Sequence, residues 1–161
     1  MAEENLTADG LVEASNIERT VERNLSDEQM YFGGRIRDQH DLWHVTAGYG
    51  RDALGELALL GFSYAHTRTA GFAFIAFMGS LFASKNFPGI PVAKAVWQGY
   101  QNGLRAKWFP AVEWETMLDM PIEDVRKFLR VNEPTIYNDI HAKFGDALKD
   151  AANLAPKAKA A

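Results

Sequence analysis

The 161-residue chain contains no cysteine. Disulfides, thiolate zinc sites, iron–sulfur clusters and a cysteine nucleophile are therefore excluded. Histidine is scarce too, with four residues, and any metal site is restricted to nitrogen and oxygen ligands. Positive charge is in deficit, because the chain has 17 Lys and Arg residues and 21 Asp and Glu residues, which gives a net charge of −4. This balance argues against a nucleic-acid partner, which would need a basic surface.

Targeting signals and long apolar runs are also missing. The N-terminal sequence lacks both the basic region and the apolar region of a secretory signal. It is also acidic, whereas a mitochondrial transit peptide is basic. The longest apolar run, 70–83, has 14 residues, whereas a membrane-spanning helix needs about 20. We therefore expect no transmembrane helix and a location in a bacterial cytoplasm.

What remains is a chain that is 47% hydrophobic, which is enough for a core at this length. Apolar residues recur at helical spacing, and no strand-like alternation persists over more than a few residues. The sequence predicts an all-α, single-domain helical bundle of about six or seven helices. We divide it into a polar, partly ordered N-terminal segment (1–25), an all-α domain with the metal site (26–149) and a disordered Ala/Lys tail (150–161).

Capping residues and glycines set the boundaries of the first predicted helices. Ser26 begins a helix, which Gly33–Gly34 should weaken before a second helix over 35–47. Asp52 can cap the next helix, which we expect to end near Ala65.

The later helices are predicted over 71–83 and 92–107, with another that begins at Pro121. Pro134 is expected to end the packed part of the domain. A final helix over 135–148 is predicted to follow it.

The segment that suggests chemistry is His40-Asp41-Leu42-Trp43-His44, followed after eleven residues by Glu56. Histidines at positions i and i+4 lie on one face of a helix, so both imidazoles can reach one metal ion. By helical geometry, the side chain of Asp41 lies in the same angular sector of the helix surface as the two histidines. Glu56 would lie about 18 Å farther along a continuous helix, so the chain must turn, and Gly48-Tyr49-Gly50 permits the turn. The pattern predicts a site for one divalent ion with open positions, zinc or non-haem iron.

Two known hydrolase patterns fit this segment poorly. Metalloproteases carry Glu after the first histidine, where this chain has Asp41, and their downstream ligand pattern is missing. A phosphohydrolase built on a His-Asp pair would need further ligands, for which only His66 and His141 remain. An unrelated metal-dependent hydrolase is therefore the least favoured interpretation.

Residues 37–56 closely resemble the coenzyme Q biosynthesis protein 4 family, as a bacterial member. The family signature, His-Asp-x-x-His, eleven residues and Glu, stands intact here. Trp97-Gln98-Gly99-Tyr100 and Trp114-Glu115 resemble the C-terminal half of the family. The resemblance covers about residues 25–135, and it implies an all-α protein of ubiquinone biosynthesis.

The resemblance implies oxidative decarboxylation (C1 hydroxylation) of a polyprenylated hydroxybenzoate, together with organisation of the biosynthetic enzyme complex. It implies one divalent metal ion, with zinc favoured and iron as the alternative, held by His40, Asp41, His44 and Glu56. Exchange of a carboxylate for a hydroxyl is an oxidation, so either the ring itself reacts with dioxygen or the metal is iron. The alternative function is a non-catalytic lipid-binding scaffold for the complex, with a structural metal.

A prenylated benzoate would need an anion-binding group and an apolar slot. Arg51 joins the predicted catalytic set because its guanidinium can bind the carboxylate, and Arg37 is a second candidate. For the tail we expect a groove lined by Phe72, Phe74, Phe77, Met78, Leu81 and Phe82.

The partners expected from this chemistry are prenylated benzoate or quinone intermediates and other ubiquinone biosynthesis enzymes. An apolar substrate stays in the bilayer, so we expect a peripheral location at the cytoplasmic face of the bacterial inner membrane. The apolar segment 70–83 is the candidate for membrane docking, and an exposed apolar groove is also a candidate homodimer interface.

Overall fold

A computed structural model describes residues 26–154, with side chains described through Gly145. Within this part the chain forms six α-helices and no strand, which confirms the predicted all-α fold. The helices are α1 (Asp27–Ala47), α2 (Ala53–Thr67), α3 (Ala70–Asn86), α4 (Val92–Arg105), α5 (Ile122–Leu129) and α6 (Thr135–Leu154). Short 3₁₀ turns at Phe109–Ala111 and Trp114–Thr116 connect α4 to α5. The predicted N-terminal segment 1–25 and residues 155–161 of the predicted tail lie outside the described residues.

Helix α1 is continuous, so the break predicted at Gly33–Gly34 is wrong. Ser26 begins the helix as predicted and forms a capping box, in which its hydroxyl accepts from the amide of Gln29 and its own amide donates to the Gln29 side chain. A Cβ atom at either glycine would meet nothing within 4 Å. Their helical cost, about 1 kcal/mol each, is too small to interrupt a 21-residue helix that is capped at both ends.

The C-terminal end of α1 is held by Arg126 of α5. Its Nε donates to the carbonyl oxygen of Thr46 at 3.0 Å, and its Nη2 donates to that of Val45 at 2.9 Å. Gly48 follows with φ +77°, a left-handed conformation that glycine adopts without strain. The chain therefore turns where the sequence predicted, and α2 begins five residues later, after its N-cap Asp52.

Helices α2 and α4 form the closest contact in the bundle. A Cβ atom added at Gly61 or Gly99 would collide with the backbone carbonyl of Val96 or Ala58. The two helices therefore touch backbone to backbone. Helix α2 also contacts α1, α3 and α6, which makes it the centre of the bundle and gives Glu56 a rigid support.

Aromatic side chains fill the core between α1, α2 and the first 3₁₀ turn. Trp43, Phe62 and Phe109 are at most 1% exposed, with ring centroids 4.9–6.4 Å apart. Trp43 thus points into the core. Helix α2 continues to Thr67 instead of ending near Ala65, so His66 belongs to the helix, and its side chain lies in this core.

Helix α6 belongs to the packed domain, which corrects the prediction that Pro134 ends it. Tyr137 and Ile140 are buried, and α6 contacts both α2 and α4. The apolar residues Ile136, Ile140 and Phe144 repeat every fourth position, so one helix face can pack against the bundle. The helix continues to Leu154, beyond its predicted end at Leu148.

No helix in the described range 26–154 is both long enough and apolar enough to cross a membrane.

Candidate metal centre

Three of the four predicted metal ligands, His40, His44 and Glu56, meet between α1 and α2. Each offers a ligand atom, and these atoms all lie within 4.8 Å of one another. The two histidines stand one turn apart, with ring centroids 4.6 Å apart. Glu56 reaches them from the first turn of α2, with Oε1 3.2 Å from His44 Nε2 and Oε2 3.7 Å from His40 Nε2. Ligands about 2.1 Å from a shared ion lie roughly 3 Å apart, so this arrangement is close to a coordination set.

His44 is the buried member of the set, with 3% of its surface exposed. Its Nδ1 lies 3.1 Å from the carbonyl oxygen of Tyr49, which can only accept, so Nδ1 carries the proton and donates. In the neutral imidazole Nε2 is then the nitrogen without a proton, and it lies 3.2 Å from Glu56 Oε1 with no hydrogen-bond partner. A metal-binding histidine is oriented in the same way, by an N–H donated to a carbonyl. The donor set and the unpartnered Nε2 therefore fit a divalent ion.

Asp41 lies beside this three-residue set and not within it. Its carboxylate is 72% exposed, with Oδ1 3.8 Å from His40 Nδ1 and 4.0 Å from Arg51 Nη2. Asp41 is turned about 100° around the helix from His40, whereas Glu56 approaches from α2. Asp41 and Arg51 thus form an open rim next to His40, and their predicted roles stay predictions. Arg37 is exposed on α1.

A second polar cluster holds the turn between α1 and α2. Asp52 Oδ1 accepts from two backbone amides in the first turn of α2, each at 3.1 Å. Its Oδ2 accepts from the Tyr137 hydroxyl at 2.6 Å and lies 3.1 Å from His141 Nε2. The Tyr137 hydroxyl in turn accepts from the amide of Gly50 at 2.9 Å. We call these four residues, Gly50, Asp52, Tyr137 and His141, the Tyr137 network.

Electrostatics within the Tyr137 network favour an ionised Asp52 beside a protonated Tyr137. Burial alone would raise the pKa of Asp52, but hydrogen bonds from Tyr137 and His141 outweigh it and hold that pKa below its usual range. Burial and the neighbouring Asp52 carboxylate raise the pKa of Tyr137 above its usual value. The Tyr137 hydroxyl therefore stays a donor to Asp52 across the neutral range.

The sequence pattern does not predict the Tyr137 network. Tyr137 lies 85 positions from Asp52, and nothing local connects them. The available signal was the i, i+4 spacing of Tyr137 and His141, which places both side chains on one helix face.

The residues predicted to line a lipid groove lie on α3, at the surface of the bundle. Phe74, Phe77, Leu81 and Phe82 are 52–65% exposed, and we call these four the α3 apolar face. Phe72 and Met78, the other two, are half-buried. Helix α3 turns Ala76, Gly79 and Ser80 inward, where a Cβ atom at Gly79 would collide with the side chain of Leu57 on α2. A role as a lipid-tail groove stays a prediction.

Comparison with known proteins shows a family match over most of the chain. The model of the coenzyme Q (ubiquinone) biosynthesis protein Coq4 family matches residues 13–135. The mitochondrial ubiquinone biosynthesis protein coq-4 of Neurospora crassa is 34% identical over 129 residues, which cover 78% of this chain and 36% of that protein. The mitochondrial COQ4 protein of Pyricularia oryzae is 30% identical over 141 residues, covering 85% and 45%. The chain thus spans less than half the length of these relatives.

A solved structure has the same fold. It is a crystal structure from Nostoc punctiforme, described provisionally as a ubiquinone biosynthesis protein. The TM-score is 0.60 at 23% sequence identity, and the match covers 71% of this chain and 60% of that one. At this identity the similarity shows a shared fold.

Proposed function

The chain belongs to the Coq4 family of coenzyme Q (ubiquinone) biosynthesis proteins, and from this premise we propose that it is a metal-dependent oxidative decarboxylase. Its substrate is a polyprenylated hydroxybenzoate, whose C1 carboxylate is replaced by a hydroxyl. The observation that carries this proposal is the buried His44 Nε2, which faces the Glu56 carboxylate at 3.2 Å without a hydrogen bond. Two acceptors so close together require a cation or a proton between them.

The residues that would hold the ion are His40, His44 and Glu56, with Asp41 as the fourth ligand of the family signature. When bound, a zinc or iron ion supplies Lewis acidity that stabilises negative charge developing on the substrate. His44 contributes a donor of fixed orientation, because its other ring nitrogen is held by the Tyr49 carbonyl. His40 is half exposed and leaves one side of the site open to a ligand.

Arg51 is the proposed partner of the substrate carboxylate. It lies at the rim of the site, 4.0 Å from Asp41, and both side chains are more than 70% exposed. An exposed ion pair of this kind contributes little to stability. A benzoate can therefore displace Asp41 from Arg51 at low cost and form a bidentate pair of hydrogen bonds with the guanidinium.

The proposed reaction oxidises the substrate ring. The bond from C1 to the carboxyl carbon breaks, CO₂ leaves, and one oxygen atom of dioxygen bonds to C1. The second oxygen atom leaves as water, with two protons from solvent and two electrons from an external donor of the reduced flavin or nicotinamide class. The chain itself contributes binding and orientation of the substrate, through the rim residue Arg51, which binds the carboxylate.

The partners are also proposals. The α3 apolar face is the proposed contact for the isoprenoid tail and for the cytoplasmic face of a bacterial inner membrane. Other enzymes of ubiquinone biosynthesis are the proposed protein partners, and an isologous homodimer through the same face is an alternative arrangement.

Complementation of a ubiquinone-deficient cell blocked at C1 hydroxylation tests the catalytic proposal. We expect the wild-type chain to restore ubiquinone and to carry metal after purification, as measured by mass spectrometry of the metal content. Glu56→Gln and His40→Ala should fold, lose metal and fail to restore ubiquinone. Glu113→Gln, at an exposed acid outside the site, is the matched control and should behave as wild type. A folded Glu56→Gln protein that restores ubiquinone would overturn the proposal that the chain is a metal-dependent catalyst.

The second candidate function is a non-catalytic lipid-binding scaffold with a structural metal. It is favoured by the α3 apolar face, whose four large side chains are more than half exposed. This function predicts that loss of the metal ligands unfolds the protein. Circular dichroism and thermal unfolding of His40→Ala and Glu56→Gln therefore separate the two candidates.

A further inference from the structure

Two side chains of α6, Tyr137 and His141, contact the turn between the two helices that carry the proposed metal ligands. We infer that Tyr137 is a positioning residue, which holds the turn between α1 and α2 and thereby sets the orientation of both His44 and Glu56. This inference rests on the proposed metal site. Tyr137 and His141 lie beyond residues 13–135, the range that the family model matches, so the signature motif does not imply their role.

The link from Tyr137 to His44 is a single peptide group. The carbonyl oxygen of Tyr49 accepts from His44 Nδ1 at 3.1 Å, and the amide of Gly50 donates to the Tyr137 hydroxyl at 2.9 Å. These two atoms belong to the same planar unit, whose C=O and N–H point in opposite directions. When Tyr137 holds the N–H, the carbonyl oxygen stays directed at His44 and keeps the proton on Nδ1. Nε2 is then left free to bind metal.

The link from Tyr137 to Glu56 runs through Asp52. The Tyr137 hydroxyl donates to Asp52 Oδ2 at 2.6 Å, while Oδ1 caps the first turn of α2. The backbone carbonyl of Asp52 accepts from the amide of Glu56 at 2.9 Å. One hydroxyl group therefore fixes both parts of the metal site, and His141 adds a second contact to Asp52 Oδ2.

The packing around the hydroxyl leaves the turn little freedom. A Cβ atom at Gly50 would collide with the Tyr137 hydroxyl, and one at Gly55 would collide with the Gly50 backbone. Tyr137 is only 6% exposed. Loss of its hydroxyl would therefore leave the part-buried amide of Gly50 without its partner and Asp52 Oδ2 with His141 alone.

Tyr137→Phe tests the inference, because it removes the hydroxyl and keeps the ring. In metal-free protein we expect ¹⁵N NMR to show that His44 loses its single Nδ1-protonated tautomer. Hydrogen exchange across residues 48–56 should accelerate at least about tenfold. The Kd for Co²⁺ should rise about 10- to 100-fold, the usual effect of losing an outer-shell partner, and the Co²⁺ absorption spectrum should change.

Tyr100→Phe is the matched control. It removes the hydroxyl that accepts from Arg68 at 3.0 Å, at the opposite end of α2 from Glu56. We expect its His44 signals, exchange rates and Co²⁺ affinity to equal those of wild type. Equal effects of Tyr100→Phe and Tyr137→Phe would overturn the inference, because a general loss of stability would then explain both.

The two proposals fail separately in this experiment. Wild-type His44 signals and exchange rates in Tyr137→Phe would overturn the positioning role, whether or not metal binds. Absence of Co²⁺ binding by the wild-type chain would overturn the metal site, and the His44 tautomer would still decide the role of Tyr137. Should Tyr137→Phe not fold, His141→Gln must accelerate exchange over 48–56, and unchanged exchange would overturn the inference.

Discussion

His66 is a buried titratable side chain that takes no part in the candidate metal centre. It is 8% exposed, its ring stacks on Phe109 with centroids 5.1 Å apart, and its Nε2 has no hydrogen-bond partner. Burial lowers the pKa of His66 from 6.5 to about 4. In the folded protein it is therefore a neutral aromatic residue of the core near pH 7.

We expect His66→Phe to reduce the loss of stability in acid. Unfolded His66 binds a proton below about pH 6.5 and folded His66 only near pH 4, so the free energy of unfolding falls as the pH drops across this window. The full shift corresponds to about 3 kcal/mol. Denaturant unfolding of both proteins between pH 7 and pH 4 measures the difference. An equal decline in both proteins would contradict the assignment.

At the scale of the elements, glycine has opposite effects in two places. In α2 and α4, Gly61 and Gly99 permit the close contact between the helices, because a Cβ atom would collide with a facing carbonyl. In α1, Gly33 and Gly34 face open space and serve no packing role. Glycine is therefore required at the α2–α4 contact and only tolerated in α1.

Gly99→Ala and Gly34→Ala should change stability in opposite directions. We expect Gly99→Ala to lower the free energy of unfolding by about 1–3 kcal/mol, because the helices must move apart. Gly34→Ala should raise it by about 0.5–1 kcal/mol, the difference in helix propensity. Chemical denaturation measures both. A neutral Gly99→Ala would show that the α2–α4 contact adjusts without strain.

The end of α1 depends on a contact from α5, because Arg126 donates to the carbonyl oxygens of Thr46 and Val45. We expect Arg126→Met to lower the free energy of unfolding by about 1–2 kcal/mol, since it removes two hydrogen bonds from a charged donor. Arg105→Met, at an exposed position at the end of α4, is the control and should have little effect. Equal melting temperatures for the two variants would contradict the capping role.

At the scale of the whole molecule, large apolar side chains lie both in a closed core and at the surface, where four of them form the α3 apolar face. Phe62 and Phe109 are completely buried, whereas Phe74 and Phe77 are 65% and 62% exposed. Large apolar side chains grouped on a protein surface usually mark a contact with a partner or a membrane. The bundle needs only the inner side of α3 for its own packing.

The double variant Phe74→Ser/Phe77→Ser should separate folding from lipid contact. We expect its free energy of unfolding to stay within about 0.5 kcal/mol of wild type, as is usual for exposed positions. Its co-sedimentation with vesicles of phosphatidylethanolamine and phosphatidylglycerol should fall several-fold. Leu118→Ser, at a residue 66% exposed outside α3, is the control. Equal sedimentation of the double variant and the control would remove the α3 apolar face as the lipid contact.

The sequence by itself determined the helices, several of their ends and the pairing of two site histidines. Ser26 and Asp52 cap their helices through amides two or three residues away, and His40 and His44 share a face because they are four residues apart. Such interactions are local, so the order of the residues is sufficient to predict them.

The tertiary structure decided which distant groups meet. It brings Glu56 onto the two histidines and leaves Asp41 at the rim. It places Tyr137 against Asp52 across 85 positions, and it turns the α3 apolar face outward. These contacts depend on how separate helices pack, and helical periodicity specifies a buried face without specifying its partner. The same reason explains why α6 was expected outside the packed part of the domain and instead packs against α2 and α4.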